Sequence, residues 1–266
     1  MDPRLVHIVR AARKGGKILK RYFGESLETS EKTNQVDFRT KADTESEAEI
    51  LNVLRAEFPD YNIWSEELGE VKNGSPYTFV IDPLDGTNNF ATGIPTFSVS
   101  IALLHRETTL LGVVYSPFLE GVYYAQRGLG AFFDGVTLRV SKEKSLSRAT
   151  ISTSAGYGTD RAFEPTITRR LTDNKAKRVL NEWSTAYCLC LIAAGRIEGM
   201  ISNGAEFYDI AAGKLIVQEA GGIMTTLDGK PEPSDRNNAF IIGCTTPIHE
   251  HLVRICNQVD PAQGAI

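Results

Sequence analysis

The chain lacks any apolar run of the about 20 residues needed to cross a bilayer, which excludes a membrane-spanning helix. It also lacks a basic excess: 29 Lys and Arg stand against 33 Asp and Glu, a formal net charge of −4 with a pI near 5.7. General nucleic-acid binders are usually basic, so neither nucleic acid nor a membrane is expected as a partner. Cysteine is scarce, and Cys188, Cys190, Cys244 and Cys256 form no zinc pattern. Cys188 and Cys190 lie two apart in a helix-like stretch, where side chains do not face each other. They read as reduced core residues of a cytoplasmic protein. The four histidines are scattered, and His249-Glu250-His251 has no metal-like spacing for a helix. No internal repeat, no low-complexity segment and no secretory-signal pattern is visible.

What remains is an ordinary globular composition, 42% hydrophobic and 23% charged, in a chain long enough for one large domain or two halves. The basic stretch Met1 to Phe23 invites a transit-peptide or membrane-surface reading. Its apolar positions Leu5, Ile8, Val9, Ala12, Ile18, Leu19 and Phe23 fall mostly at three- and four-residue steps, interrupted at Gly15-Gly16. That spacing favours a helix packed on a core with a solvated basic face. A polar stretch from Glu25 to Arg39 reads as a loop or hairpin able to move. A second helix is predicted over Glu45 to Phe58, with Asp43 or Thr44 as its N-cap and Thr44 with Glu47 as a capping box.

A short strand, Tyr61 to Trp64, then ends in Ser65-Glu66-Glu67. From Phe97 onward the pattern is β-rich, with Asp134-Gly135 as a hairpin dipeptide. This predicts a mostly antiparallel sheet after two helices. The composition turns polar and charged at Ser141 to Arg148, which divides the chain into halves at 1–144 and 145–266. The second half reads as strands alternating with helices: a polar helix ending near Asp173, a strand at Arg178-Val179-Leu180, and a small-residue-rich helix from Ser184 to Gly195. Asp209 then stands where the N-cap of the next helix belongs.

The central stretch is Thr78 to Phe90, TFVIDPLDGTNNF. An apolar, β-branched strand delivers Asp82 and Asp85, and Gly86-Thr87 follow at once. Two acids at the end of a core strand repel each other unless a cation sits between them, and a divalent metal has the right size. Pro83 stiffens the turn and Gly86 permits a close backbone approach. The plain alternative is an Asp-Pro turn after a strand, since such dipeptides are common in turns.

Asp43, Glu66, Asp82-Pro-Leu-Asp85-Gly-Thr87-Asn-Asn-Phe90, and Tyr208-Asp209-Ile-Ala-Ala-Gly213 followed by Glu219-Ala-Gly-Gly222 stand in order along the chain. So do the helix from Ser184 through Cys190 to Arg196, the hairpin Phe133 to Ser141, and Lys32, eleven positions before Asp43. In this order they resemble the inositol monophosphatase family of magnesium-dependent, lithium-sensitive phosphatases, essentially end to end. The resemblance implies an α+β fold, a layered α-β-α-β-α sandwich of the inositol monophosphatase and fructose-1,6-bisphosphatase type, commonly a homodimer. It implies two to three Mg²⁺ ions. Glu66, Asp82 and the Leu84 carbonyl would hold one, Asp82, Asp85 and Asp209 a second, and Glu66 a weaker third through water, beside Lys32 on a mobile loop. Hard oxygen ligands suit magnesium, which completes its shell with water and substrate phosphate.

The activity so implied is hydrolysis of a small phosphate monoester by in-line attack of a metal-activated water, oriented by Thr87 and Asp43. Glu66 assists, and the N–H groups of Gly86 and Thr87 would hold phosphate oxygens. Departures from the family pattern bear on the leaving group. Tyr208 replaces a tryptophan, and Trp183 replaces a glycine. Ser202 stands where inositol-preferring members have an acid, leaving Glu206 as the nearest acid and Asp85 as a further substrate contact. Fructose 1,6-bisphosphate or histidinol phosphate are therefore alternative substrates, with Arg178 a candidate for a second phosphate. A haloacid-dehalogenase-type mechanism fits less well, because Pro83 and Leu84 separate the two aspartates where that class has one residue. A catalytically idle relative acting as a binding or regulatory partner is the reading from another class.

Overall fold

The computed structural model describes residues 1–24, 29–34, 37–156, 158–181 and 183–258, the side chains of 29–40 excepted. Two helices, α1 (Arg4–Tyr22) and α2 (Lys41–Glu57), flank an antiparallel hairpin of β1 (Thr29–Asn34) and β2 (Asp37–Thr40). Then come β3 (Asn62–Ser65), β4 (Gly69–Val71), β5 (Tyr77–Asp85), the short α3 (Thr87–Ala91), β6 (Ser98–His105), β7 (Thr108–Ser116), β8 (Gly121–Gln126), β9 (Gly130–Phe133) and β10 (Val136–Thr137). A 3-10 turn at Leu146–Arg148 leads into β11 (Thr150–Ala155), α4 (Phe163–Asp173), β12 (Arg178–Asn181) and α5 (Thr185–Ala193). The chain continues with β13 (Gly199–Asn203), α6 (Phe207–Glu219), β14 (Ile223–Thr226), β15 (Ala239–Gly243) and α7 (Thr246–Cys256).

Eight strands pair in the order β10-β9-β8-β7-β6-β5-β3-β4, all antiparallel except β3 with β5. Five more pair as β12-β11-β13-β15-β14, with β12, β11 and β13 parallel. Asp134 and Gly135, both at positive φ, form the two-residue turn between β9 and β10 that the dipeptide predicts.

The period of two along each strand sorts side chains into layers. Phe79, Ile81, Val99, Ile101, Leu103, Leu111 and Val113 face α1 and α2. Their neighbours Val80, Ala102, Leu104 and Val114 face α5 and α6, which also pack on Met200, Phe240 and Ile242 of the smaller sheet. The far face of that sheet, with Ile151, Ile201 and Ile241, is covered by α4 and α7 through Ile167, Leu171, Ile248 and Leu252. The result is the expected α+β sandwich, layered α-β-α-β-α. No described helix is long and apolar enough to cross a membrane.

The gap in the apolar stripe at Gly15-Gly16 has a packing cause. Both glycines are buried inside α1, where an added Cβ would lie 2.7 Å from Ser46 Oγ and 2.3 Å from the Tyr115 ring respectively. They mark the closest approach of α1 to α2 and to the sheet. The second helix starts at Lys41, so Asp43 is its third residue rather than its cap. The central strand does not stop at Asp82-Pro83 but runs on to Asp85.

The middle helical layer is secured by a buried ion pair. Lys214 of α6 donates to Glu232 at 2.7 Å, and to the carbonyls of Asn237 at 2.8 Å and Asp235 at 3.3 Å. Both charged side chains are buried. Removing one partner strands the other charge, so Lys214→Met is expected to cost about 3–5 kcal/mol in urea denaturation. The double change Lys214→Met with Glu232→Leu is expected to cost clearly less.

Candidate active site

The larger sheet aims its acids by parity. Val80 faces the α5/α6 layer, so Asp82, two residues on, faces it as well. Asp85, three residues further, would face the other way in a regular strand. The register between β5 and β6 slips at this point: Asp82 lies opposite Ser100 and Asp85 opposite Ser98, three steps against two. This one-residue bulge returns Asp85 to the same face as Asp82. The Leu84 N–H donates to Asp82 Oδ1 at 2.9 Å, and Ser46 Oγ on α2 donates to the Pro83 carbonyl at 2.9 Å, fixing the bulge.

Asp85 is the best supported of the acids. Its carboxylate accepts hydrogen bonds from the Ser184 hydroxyl, the Ser98 hydroxyl at 2.8 Å, and the N–H groups of Ala186 at 3.3 Å and Tyr187 at 3.2 Å. The last two belong to the first turn of α5, whose dipole favours negative charge. Gly86 then takes φ 91°, and a Cβ there would sit 3.0 Å from both Thr96 O and Ser184 Cβ. Thr87 opens α3, with its hydroxyl 3.0 Å from the Leu84 carbonyl and 3.4 Å from Asp43 Oδ1.

Glu66 follows β3, and its N–H donates to the Ile81 carbonyl at 3.1 Å. Its turn is held by buried Glu47, which accepts from the Ser65 hydroxyl and from the N–H groups of Glu67 at 3.3 Å and Leu68 at 3.0 Å. Glu47 therefore holds this turn rather than serving the predicted capping box. Carboxylate oxygens of Asp43, Glu66 and Glu67 lie within 4.8 Å of one another.

Asp209 arrives from the other half of the chain. It is the third residue of α6, not its N-cap; Glu206 caps, and Asp209 Oδ2 accepts the Glu206 N–H at 3.2 Å. The sequence places an acid at this helix start but does not say which turn position it holds.

The electrostatics follow from this crowding. Burial, then the charges of Glu66, Asp209 and Asp85, push the Asp82 carboxyl well above the usual carboxylate range, and the Glu66 carboxyl is in hydrogen-bonding contact with it. Burial, then Glu66 and Asp85, raise Asp209 in the same way. Asp85 is raised by burial too, but its four hydrogen bonds oppose the rise. The Tyr208 hydroxyl is pushed up by burial and then by Glu66, Asp209 and Asp82. A set of hard oxygen donors that resists its own ionisation fits a divalent cation such as magnesium. Glu66, Asp82, Asp85 and Asp209, with the Leu84 carbonyl, are the residues that would hold it.

Glu206, three residues before Asp209, adds its charge to those that raise the Asp209 carboxyl. Glu206 is exposed at the start of α6. Arg178 is exposed and opens β12 opposite Thr150, about 10 Å along the strand from Asn181 and the α5 end. Lys32 lies on β1, and its side chain falls outside the described residues. Glu67, Glu47 and Ser98 have roles that sequence reasoning missed. Ser98 sits in an unremarkable strand, and only the slipped register brings it to Asp85.

Solved structures share this layering. The extragenic suppressor protein suhB of Bartonella henselae superposes with a TM-score of 0.90 at 32% identity, over 97% of this chain and 100% of that one. The Thermotoga maritima IMPase gives 0.87 at 34% identity, over 96% and 97%. These likenesses define the class of protein, an α+β layered sandwich. The sequence profile of the inositol monophosphatase family matches residues 1–260, and the chain belongs to that family. Relatives include the Nus factor SuhB of Haemophilus influenzae, 36% identical over 270 residues covering 100% of this chain and 98% of that protein. The fructose-1,6-bisphosphatase/inositol-1-monophosphatase of Thermotoga maritima is 35% identical over 257 residues, 96% of each.

A carboxyl whose pKa is higher folded than unfolded stabilises the fold at low pH and loses that contribution as pH rises through the folded value. Metal-free protein is therefore expected to carry a neutral-pH penalty at Asp82. Asp82→Asn keeps an acceptor for the Leu84 N–H and removes the charge. Its metal-free Tm at pH 7 should exceed that of the unsubstituted protein by a few degrees, 1 kcal/mol being worth about 2–4 °C at this size. The gap should narrow as pH falls towards the ordinary carboxylate range, and the Tm rise on adding Mg²⁺ should shrink, both read by calorimetry. Asp85→Asn should bring no such gain, because an amide cannot accept all four of the bonds Asp85 receives.

Proposed function

We propose that this protein is a magnesium-dependent phosphoric monoester hydrolase acting on a small phosphate ester of the inositol monophosphate type. The observation that supports this reading is the gathering of acids from several elements: Asp43, Glu66 and Glu67 lie within 4.8 Å of one another, the slipped register turns Asp82 and Asp85 to one face, and the charges of Glu66, Asp85 and Asp209 oppose the ionisation of Asp82. Bound magnesium, two to three ions by the family expectation, would supply the positive charge that lets these groups ionise, polarises the phosphoryl group and lowers the pKa of water.

The chain's own groups then divide the work. The Thr87 hydroxyl, between Asp43 and the Leu84 carbonyl, and the Asp43 carboxylate hold the attacking water in line and receive its proton. Glu66 assists at the same edge, beside Glu67. The N–H groups of Gly86 and Thr87 donate to phosphate oxygens. Asp85, fixed by Ser98, Ser184 and α5, presents one rigid edge towards the leaving group, with Glu206 exposed at the opposite rim. The same site accommodates fructose 1,6-bisphosphate or histidinol phosphate as alternative substrates. Arg178, exposed at the start of β12, is the candidate for a second phosphate of a bisphosphate substrate. A cytoplasmic homodimer inhibited by lithium belongs to this reading.

The relatives named Nus factor SuhB support a second reading, in which the protein works by binding a partner without turnover. One assay separates the two. Phosphate release from inositol monophosphate, fructose 1,6-bisphosphate and histidinol phosphate is measured with Mg²⁺, with and without Li⁺, and with a chelator. Hydrolysis is expected to require Mg²⁺ and to fall with Li⁺. Asp85→Asn is expected to lower kcat/KM by more than the about 10–100-fold typical of a change one shell beyond a metal. No release from any ester with Mg²⁺ would favour the binding role.

A further inference from the structure

The acids of the site come from elements that must be held in register across the molecule, and one cation outside the acidic cluster touches two of them. Trp64 on β3 lies two residues before Glu66, and Phe207 opens α6 two residues before Asp209. The two rings pack together with centroids 5.3 Å apart. Arg236 lies against both, its guanidinium carbon 5.0 Å from the Trp64 centroid and 5.6 Å from that of Phe207. A guanidinium over an aromatic face is attracted by the ring quadrupole.

The exposed arginine is anchored by one ion pair and through its chain neighbours. Its Nε donates to Glu107 Oε2 at 2.8 Å, in the turn between β6 and β7. The preceding residue, Asp235, accepts the Thr109 N–H at 2.8 Å and an Arg127 N–H at 2.7 Å. The carbonyls on both sides of Arg236, those of Asp235 and Asn237, accept from buried Lys214 on α6. The connection between β14 and β15 is thereby tied to the helix that carries Asp209, and its tip reaches across to the strand that leads to Glu66.

We propose that Arg236 is a positioning residue for the cation site, clamping Trp64 to Phe207 and so setting the separation of Glu66 and Asp209. The inference rests on the reading that these two acids serve one cation cluster. Arg236 touches neither acid; it acts through the two aromatic side chains. Loosening the clamp lets the end of β3 and the start of α6 drift apart, as their mutual charge repulsion favours, and a cation must then draw them together again. The cost appears as weaker cation binding rather than as a slower chemical step once cation is saturating.

The test is Mg²⁺ binding to the full chain by isothermal titration calorimetry, beside metal-free Tm and the Mg²⁺ dependence of phosphate release. Arg236→Ala is expected to raise the Mg²⁺ Kd about 10-fold, at the lower end of what outer-shell changes produce. Half-saturation of turnover by Mg²⁺ should move with it, while kcat at saturating Mg²⁺ stays within about twofold, a tenfold change in Kd being about 1.4 kcal/mol. Arg236→Lys keeps the charge without the planar stack, and Glu107→Ala changes only a surface anchor. Both should fold and shift the Kd in the same direction by less. Arg148→Ala, which removes a surface ion pair with Glu143, should leave the Kd unchanged. Unchanged Mg²⁺ affinity in the Arg236 and Glu107 variants, with only Tm lowered, overturns the clamp while leaving the hydrolase reading intact. Absence of Mg²⁺ binding by the unsubstituted protein overturns both.

Discussion

Carboxylates buried beside one another oppose their own ionisation, and this fold assembles several of them in one place. Asp82 and Asp209 approach from different parts of the chain, and their hydrogen bonds to Leu84 and Glu206 N–H groups do not cancel the effect of burial and neighbouring charge. Such an arrangement survives only because the surrounding layers hold it. Packing on both faces of β5 and along α6 outweighs the local repulsion. The five layers thus keep a site whose acids, left to themselves, would separate.

The acids are not equivalent, and the difference is structural. Asp85 sits on the N-terminal turn of α5 with two hydroxyls beside it, so its charge is answered by protein dipoles. Asp82 has one backbone donor and three acidic neighbours. One carboxylate is therefore a fixed wall of the site, while the other depends most on a cation. The elements carrying Glu66 and Asp209 are joined by the contact of Trp64 with Phe207, and Arg236 lies against both rings.

Much of this was legible residue by residue. The apolar and β-branched content of FSVSIALL and TLLGVVYSP reads as strands, and these are β6 and β7. Asp134-Gly135 names its own turn. The order of acids around DPLDGT carried the family resemblance, because that run is long and specific. Other features were illegible for identifiable reasons. Gly15-Gly16 reads only as a gap in the apolar stripe, and the close approach to Ser46 and Tyr115 that it permits is set by other elements. Glu47 looks like a capping partner by spacing, yet its carboxylate is recruited by a turn about twenty residues away.

By itself the sequence determined most of the strands and helices, the lack of an apolar run long enough to cross a bilayer, and the order of the acids along the chain, since each depends on local pattern or composition. Only the tertiary structure decided how those acids point. Parity alone sends Asp82 and Asp85 to opposite faces of the sheet, and one extra residue in the β5–β6 register brings them to the same face. That slip is a property of two strands pairing, not of either strand alone. The partners of Asp85 on β6 and α5, and the meeting of Glu66 with Asp209, arise in the same way, from contacts between residues far apart in the chain.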